Sequence, residues 1–247
     1  MVFFRAQDNL TDDIQKALVQ RLGELSGKPS ESTLHIHPLL NSSHEFGTTD
    51  AEISTISSKG FKIFDKGAKD RDDRKGGAAS WHSDIQFEQY PADYTSLRLT
   101  QLPSSGGDTL WASGYEIYDR FSDAYQEFFE RLTATFSGEG FHRAEAASAG
   151  KNKLYEQARG HPENVGRDLL AVHPVVRTNP VTGWKSIYAI GNFPSRINEL
   201  SARESKELLA SFYRVIEENH DLQVRFKWKQ PNDLGKRSAV KQSESMC

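Results

Sequence analysis

The 247-residue chain sets 31 Lys and Arg against 34 Asp and Glu, a formal net charge of −3, and 36% of its residues are hydrophobic. This balance predicts one large globular domain or two small ones with a sizeable core, and it argues against a broad nucleic-acid footprint. No apolar run of about 18 residues suggests a membrane span. The start "MVFFRAQDNLTDD" does not read as a secretory signal, and the single cysteine, Cys247, allows no internal disulfide, so a reducing, cytoplasmic location is expected.

Val2 to Arg5, "VFFR", is strand-like. Thr11 then predicts the N-cap of a helix through Leu25, with Ile14, Leu18, Leu22 and Leu25 on one face. From "STLHIHPLL" through "EISTISS" and "FKIF" the period shifts towards two. Asp65 to Ser80 is charged and glycine-rich, with acidic and basic residues in balance, and reads as a solvated loop. "YTSLRLTQL" alternates as a half-buried strand, "PSSGG" turns, and "DTLWA" is a second short strand.

Ser113 and Glu116 predict a capping box ahead of one helix striped by Ile117, Phe121, Tyr125, Phe128 and Leu132. Residues 144–168 have weak pattern and read as a long surface excursion. "LLAVHPVVRT" and "KSIYAIG" predict two strands around the turn "NPVTGW". Ser201 and Glu204 predict a second capping box, opening a helix that buries Leu208, Phe212, Val215 and Ile216. "LQVRFKWKQ" predicts a strand with Val224, Phe226 and Trp228 on one face. Residues 235–247, "GKRSAVKQSESMC", form a divergent stretch that reads as a disordered tail. Short strands with a few helices and no regular βαβ alternation point to an antiparallel sandwich or barrel with helices outside.

The chemistry centres on "WHSD". His82 and Asp84 are two apart, so on a strand both side chains would point the same way, towards one metal ion. An imidazole and a carboxylate, joined by a distant second His, make the facial triad of non-haem Fe(II) oxygenases. By itself a His-x-Asp pair is equally a polar pair at a strand end, and a zinc hydrolase would use the same residue types.

The wider context is specific. "RLGELSG" with "LHIHP", then "WHSDIQFEQYP", "LPSSGGDTLW", "HPVVRTNPVTGWKSIY" and "LQVRFKWKQPNDL" resemble, in order and spacing, the taurine dioxygenase (TauD/TfdA-like) family of Fe(II)/2-oxoglutarate dioxygenases, on its fungal sulfonate dioxygenase side. The resemblance runs over residues 1–234 as one domain. It implies a mainly β fold with flanking helices, a double-stranded β-helix (jelly roll), incomplete at its C-terminal end. It implies that His82 and Asp84 bind Fe(II), that Thr109 meets a 2-oxoglutarate carboxylate, and that His37 contacts the substrate sulfonate. The bland alternatives are a cross-strand Thr109 and a satisfied strand histidine at His37. Leu40 and Ala78 replace an aromatic residue and an asparagine of the taurine enzymes, so the substrate pocket is expected to differ.

The resemblance also implies a distal His and a 2-oxoglutarate-clamping Arg beyond "QPNDL". The stretch from Gly235 contains neither, and few residues precede "VFFR". The expectation is a chain shortened at both ends, through a frameshift, a retained intron or an incomplete gene model. His142, His161, His173 and His220 are the remaining candidates for a substitute ligand. Three readings follow. The first is a dioxygenase that uses Fe(II), 2-oxoglutarate and O2 to hydroxylate a sulfonate- or sulfate-like small molecule, releasing succinate and CO2. The second is a catalytically impaired family member, and the third a zinc hydrolase. A small-molecule substrate is the expected partner, with neither nucleic acid nor membrane, and a homo-oligomer is compatible with the sequence.

Overall fold

The structure, a computed structural model, describes residues 1–5, 7, 9–41, 50–56, 81–150, 152–228, 237–242 and 245–246, the last two stretches as backbone. The readings of "FKIF", of the Asp65–Ser80 loop, of Ala78 and of "QPNDL" lie outside these residues.

The described strands form small antiparallel sheets. One runs in the order β1 (Val2–Phe4), β10 (Arg237–Gln242), β2 (Tyr94–Leu99). Another runs β11 (Ser245–Met246), β3 (Thr109–Ser113), β9 (Gln223–Phe226). A third runs β5 (Leu170–Pro174), β4 (Thr133–Ser137), β8 (Pro194–Ile197), and β6 (Val176–Thr178) pairs with β7 (Lys185–Ile187) as a hairpin. The helices are α1 (Asp12–Leu25), α2 (Gly114–Asp119), α3 (Asp123–Phe129), α4 (Glu139–Ala147) and α5 (Ala202–Glu218). This matches the expected mix of short antiparallel strands with outer helices. No closed β-helix is formed by the described strands, whose sheets stay open.

The stretch from Gly235 differs from expectation, because it supplies β10 and β11. β10 lies between β1 and β2, which gives the facing edges of both strands a hydrogen-bonding partner. Unpaired strand edges carry rows of unmet N–H and C=O groups, so even a sequence of weak pattern is drawn into such a gap.

The main core packs Phe129, Phe136, Ile187, Ile197, Phe212 and Ile216 between α5 and the third sheet. Ser201 forms a full capping box with Glu204 and starts α5, as expected, and Phe212 and Ile216 are fully buried. The other predicted helix between Ser113 and Leu132 is two helices, restarted at Ser122. Its stripe shifts accordingly: Ile117, Phe129 and Leu132 are buried, while Tyr125 and Phe128 face solvent.

Helix α1 also turns differently. Thr11 caps it, but Ile14 and Leu25 are exposed, and Gln15 and Gly23 are buried instead. Gln15 donates to the Ser96 carbonyl and hydroxyl, both at 3.2 Å, so a polar tie to β2 sets the helix rotation. In β9, Phe226 is buried with Trp228, but Val224 is exposed. Trp81, Trp111 and Trp228 are all buried, whereas Trp184, on the loop joining β6 to β7, is 61% exposed and meets Tyr115 edge-on.

Candidate metal and substrate site

His82 and Asp84 do not sit on a strand. Residues 81–90 run as an irregular segment with turns, in contrast to the expected alternation. Immediately after Asp84, Ile85 takes φ 49°, a left-handed conformation that a β-branched residue adopts only under outside constraint. This kink, rather than the two-residue pleat, brings the pair together: His82 Nε2 lies 3.3 Å from Asp84 Oδ1. Both side chains are about one-third exposed, and both line a cavity of about 730 Å³.

The constraint comes from distant residues. Tyr213 on α5 donates to the Trp81 carbonyl at 3.0 Å. Gln86 donates to the Tyr188 carbonyl at 2.6 Å, and His173 Nε2 lies 2.9 Å from the Glu88 carbonyl. Gly191, at φ 120°, passes so close that an added Cβ would lie 2.9 Å from both Cα and Cβ of His82.

Residues 152–168, expected to wander over the surface, supply the strongest clamp. Arg159 and Glu88 are almost fully buried and form a two-point ion pair at 2.5 and 2.9 Å. Arg159 Nη1 also donates to the carbonyls of Tyr155 and Gly166. His35 Nε2 lies 3.1 Å from Glu88. Burial pushes the Glu88 carboxyl up, but Arg159 and His35 together outweigh it, so its pKa ends below the usual value. Asn164 exchanges two hydrogen bonds with the Tyr90 backbone, and the His161 ring stacks on Tyr90 at 3.7 Å. The weak hydrophobic period of this stretch hides its burial, because its buried residues are polar apart from Leu154: Asn152, Arg159, His161 and Asn164.

His37 lines the same cavity and is held locally. Its Nδ1 accepts from the backbone N–H groups of Leu39 and Leu40 at 3.0 and 2.9 Å. With Nδ1 an acceptor, the neutral ring carries its proton on Nε2 as a donor. Thr109 is not brought to this cavity: it opens β3, and its hydroxyl accepts from the Trp228 indole at 2.8 Å. Of the substitute ligands, His173 is engaged with Glu88, and His161 Nδ1 accepts from the Glu163 N–H. Among the described residues no group of three His, Cys, Asp or Glu side chains is placed to hold a metal ion.

The pair nevertheless fits a metal. Two ligand atoms each about 2.1 Å from one ion and at a right angle are about 3.0 Å apart, close to what His82 and Asp84 show. One nitrogen and one oxygen donor, open to a cavity, suit a borderline ion such as Fe(II). No helix among the described residues is long and apolar enough to cross a membrane.

Comparison with known proteins identifies the family. Residues 1–234 match the family model described as taurine catabolism dioxygenase TauD, TfdA family. An α-ketoglutarate-dependent dioxygenase of Penicillium shearii is 42% identical over 95% of the chain and 69% of its own length. One of Neocamarosporium betae is 47% identical with the same coverage. A protein described as a putative α-ketoglutarate-dependent sulfonate dioxygenase, from Schizosaccharomyces pombe, is 31% identical over 92% of the chain and 51% of its own length. Among solved structures, one described as a putative α-ketoglutarate-dependent taurine dioxygenase, from Burkholderia xenovorans, shares the fold with TM-score 0.63 at 24% identity, covering 99% of this chain and 67% of that one. The chain belongs to the TauD/TfdA family and is, by that membership, a non-haem iron dioxygenase that depends on 2-oxoglutarate and O2.

Proposed function

We propose that this dioxygenase hydroxylates a sulfonate- or sulfate-like small molecule, with succinate and CO2 as co-products. The observation that carries the reading is the shared cavity. His82 and Asp84, 3.3 Å apart, line the same space as His37. In this reading His82 Nε2 and a carboxylate oxygen of Asp84 hold Fe(II). When bound with 2-oxoglutarate and O2, the iron supplies the oxidising chemistry.

The chain's own residues position and shield. The kink at Ile85 holds the Asp84 carboxylate beside the imidazole. The His37 ring, fixed by two backbone donors, presents its Nε2 proton to an acidic oxygen of the substrate. Phe141 and Phe193 help wall the cavity and exclude water. The assignment of Thr109 to a 2-oxoglutarate carboxylate rests on the "GGDT" stretch alone, since Thr109 lies outside the cavity lining and its hydroxyl accepts from the Trp228 indole.

The test is succinate formation from 2-oxoglutarate, with Fe(II) present or chelated, across a panel of alkyl sulfonates and alkyl sulfate esters. Turnover stimulated by a sulfonate or sulfate ester and abolished by His82→Ala is expected. Turnover that survives His82→Ala would overturn the metal assignment. Fe(II)-dependent turnover stimulated only by substrates without such a group would overturn the substrate class.

A further inference from the structure

His35 and His37 line one cavity but are anchored through opposite nitrogens. They are two residues apart, so their Cα atoms stand no more than about 7 Å from each other. His37 commits Nδ1 to the N–H groups of Leu39 and Leu40. His35 commits Nε2 to Glu88, 3.1 Å from a carboxylate oxygen. Arg159 grips that carboxylate at two points, and its pKa lies below the usual value, so it is ionised. An ionised carboxylate only accepts, so the His35 proton sits on Nε2 and Nδ1 of the neutral ring keeps its lone pair.

That Nδ1 has no hydrogen-bond partner among the described residues. It is also not sealed in the interior, as the buried polar atoms without partners lie on other residues. It therefore opens to the space that the ring lines, with 14% of the side chain exposed. The backbone behind it is held too. Thr33 donates to the Gly160 carbonyl at 2.6 Å. Gly160, at φ 86°, passes so close that an added Cβ would lie 2.9 Å from the His35 Cα. An acceptor fixed before binding costs little ordering to engage.

We infer that His35 is a specificity-determining residue of this cavity, its Nδ1 accepting a hydrogen bond from a hydroxyl group of the same substrate whose acidic group meets His37. This rests on the proposed function for the acidic group and adds a second, neutral requirement to it. The charge of Glu88 is spent on Arg159, so the wall behind His35 holds no unbalanced negative charge to draw an ammonium group. A hydroxyl is a neutral donor and matches a neutral lone pair. One histidine then offers an N–H and the other a lone pair, and a substrate must supply the acceptor and the donor at matching separation.

The experiment measures binding, so that it is independent of turnover. Titration calorimetry on the whole chain, at about pH 8 where an ordinary imidazole is neutral, compares 3-hydroxypropanesulfonate with propanesulfonate, and 3-hydroxypropionate with propionate. The members of each pair differ by the hydroxyl alone. The hydroxylated member of at least one pair should bind at least about threefold more tightly, the worth of one neutral hydrogen bond. His35→Phe should remove that preference and leave propanesulfonate binding nearly as before, with the circular dichroism spectrum unchanged. Long-range proton–nitrogen NMR on the unmutated chain is the second readout and needs no variant. It should find the His35 proton on Nε2, and the Nδ1 resonance should move with the hydroxylated ligand only. Equal affinity within both pairs, no binding by any of the four, a preference that survives His35→Phe in the folded protein, or a proton on Nδ1 would overturn the inference. Because iron and 2-oxoglutarate are absent from the titration, such a result leaves the succinate assay to judge the proposed function separately.

Discussion

His37 and the His82–Asp84 pair face one cavity but are held in different ways. The His37 loop supports itself: its ring accepts from Leu39 and Leu40, and Asn41 donates to its carbonyl at 3.0 Å, all within four residues. The His82–Asp84 segment depends on residues 71 to 132 positions away, among them Arg159, Asn164 and Tyr213. A self-supporting loop can change its side chain cheaply. A segment held from several distant points transmits damage at any of them to His82 and Asp84. The His37 loop and the His82–Asp84 segment are thus built by different means.

The largest expected break of this comparison is Arg159→Met, which leaves the Glu88 carboxylate buried without its cation. A loss of about 3–5 kcal/mol in urea unfolding is expected. Replacing both partners with apolar residues should recover part of it, and no recovery would show that the ion pair is not what stabilises the segment. Next is Gly191→Ala. Its new Cβ meets the His82 backbone at 2.9 Å and the residue keeps φ 120°, so a cost of about 1–3 kcal/mol should accompany weaker Mn(II) binding. Unchanged Mn(II) affinity would mean that His82 is held by other contacts. Ser201→Ala removes the capping box of α5 and should cost about 1 kcal/mol without altering metal affinity. His37→Gln should have the smallest effect on stability, within about 0.5 kcal/mol, while weakening sulfonate binding.

The pH dependence sharpens the same contrast. Burial, with Arg177 adding to it and the Glu88 carbonyl opposing, holds the His173 imidazole below its ordinary value of 6.5. Below 6.5 the unfolded chain takes up a proton that the folded chain refuses until its own lower pKa is reached. Stability present above 6.5 is therefore lost as the pH falls through that window. The urea midpoint should drop as the pH is taken below 6.5, less so in His173→Gln. The lowered pKa of Glu88 places its contribution further down: it is present above the ordinary value of 4.5 and lost as the pH falls through the folded value.

The sequence disclosed elements that local rules govern. The capping box at Ser201, the strand at Tyr94–Leu99 and the positive-φ glycines of "PSSGG" follow from side-chain chemistry within a few residues. It also disclosed the pairing of His82 with Asp84, though for a different geometric reason from the one that operates. What it hid is long-range. Nothing local to Ile85 foretells its left-handed backbone, and nothing local to Arg159 foretells Glu88, 71 residues away. The hydrophobic period of α1 pointed to Ile14, but the bond from Gln15 to Ser96 turned the helix elsewhere. Polar burial leaves no hydrophobic pattern to read.

The contrast between one exposed indole and three buried ones has a practical consequence. Trp184 follows β6, the strand that carries Arg177, and it stands in water while Trp81, Trp111 and Trp228 do not. Acrylamide should quench its fluorescence selectively, and Trp184→Phe should leave the shielded, blue-shifted emission of the other three. One protein sample then carries two optical signals, one for movement of the hairpin at the cavity and one for loss of the core.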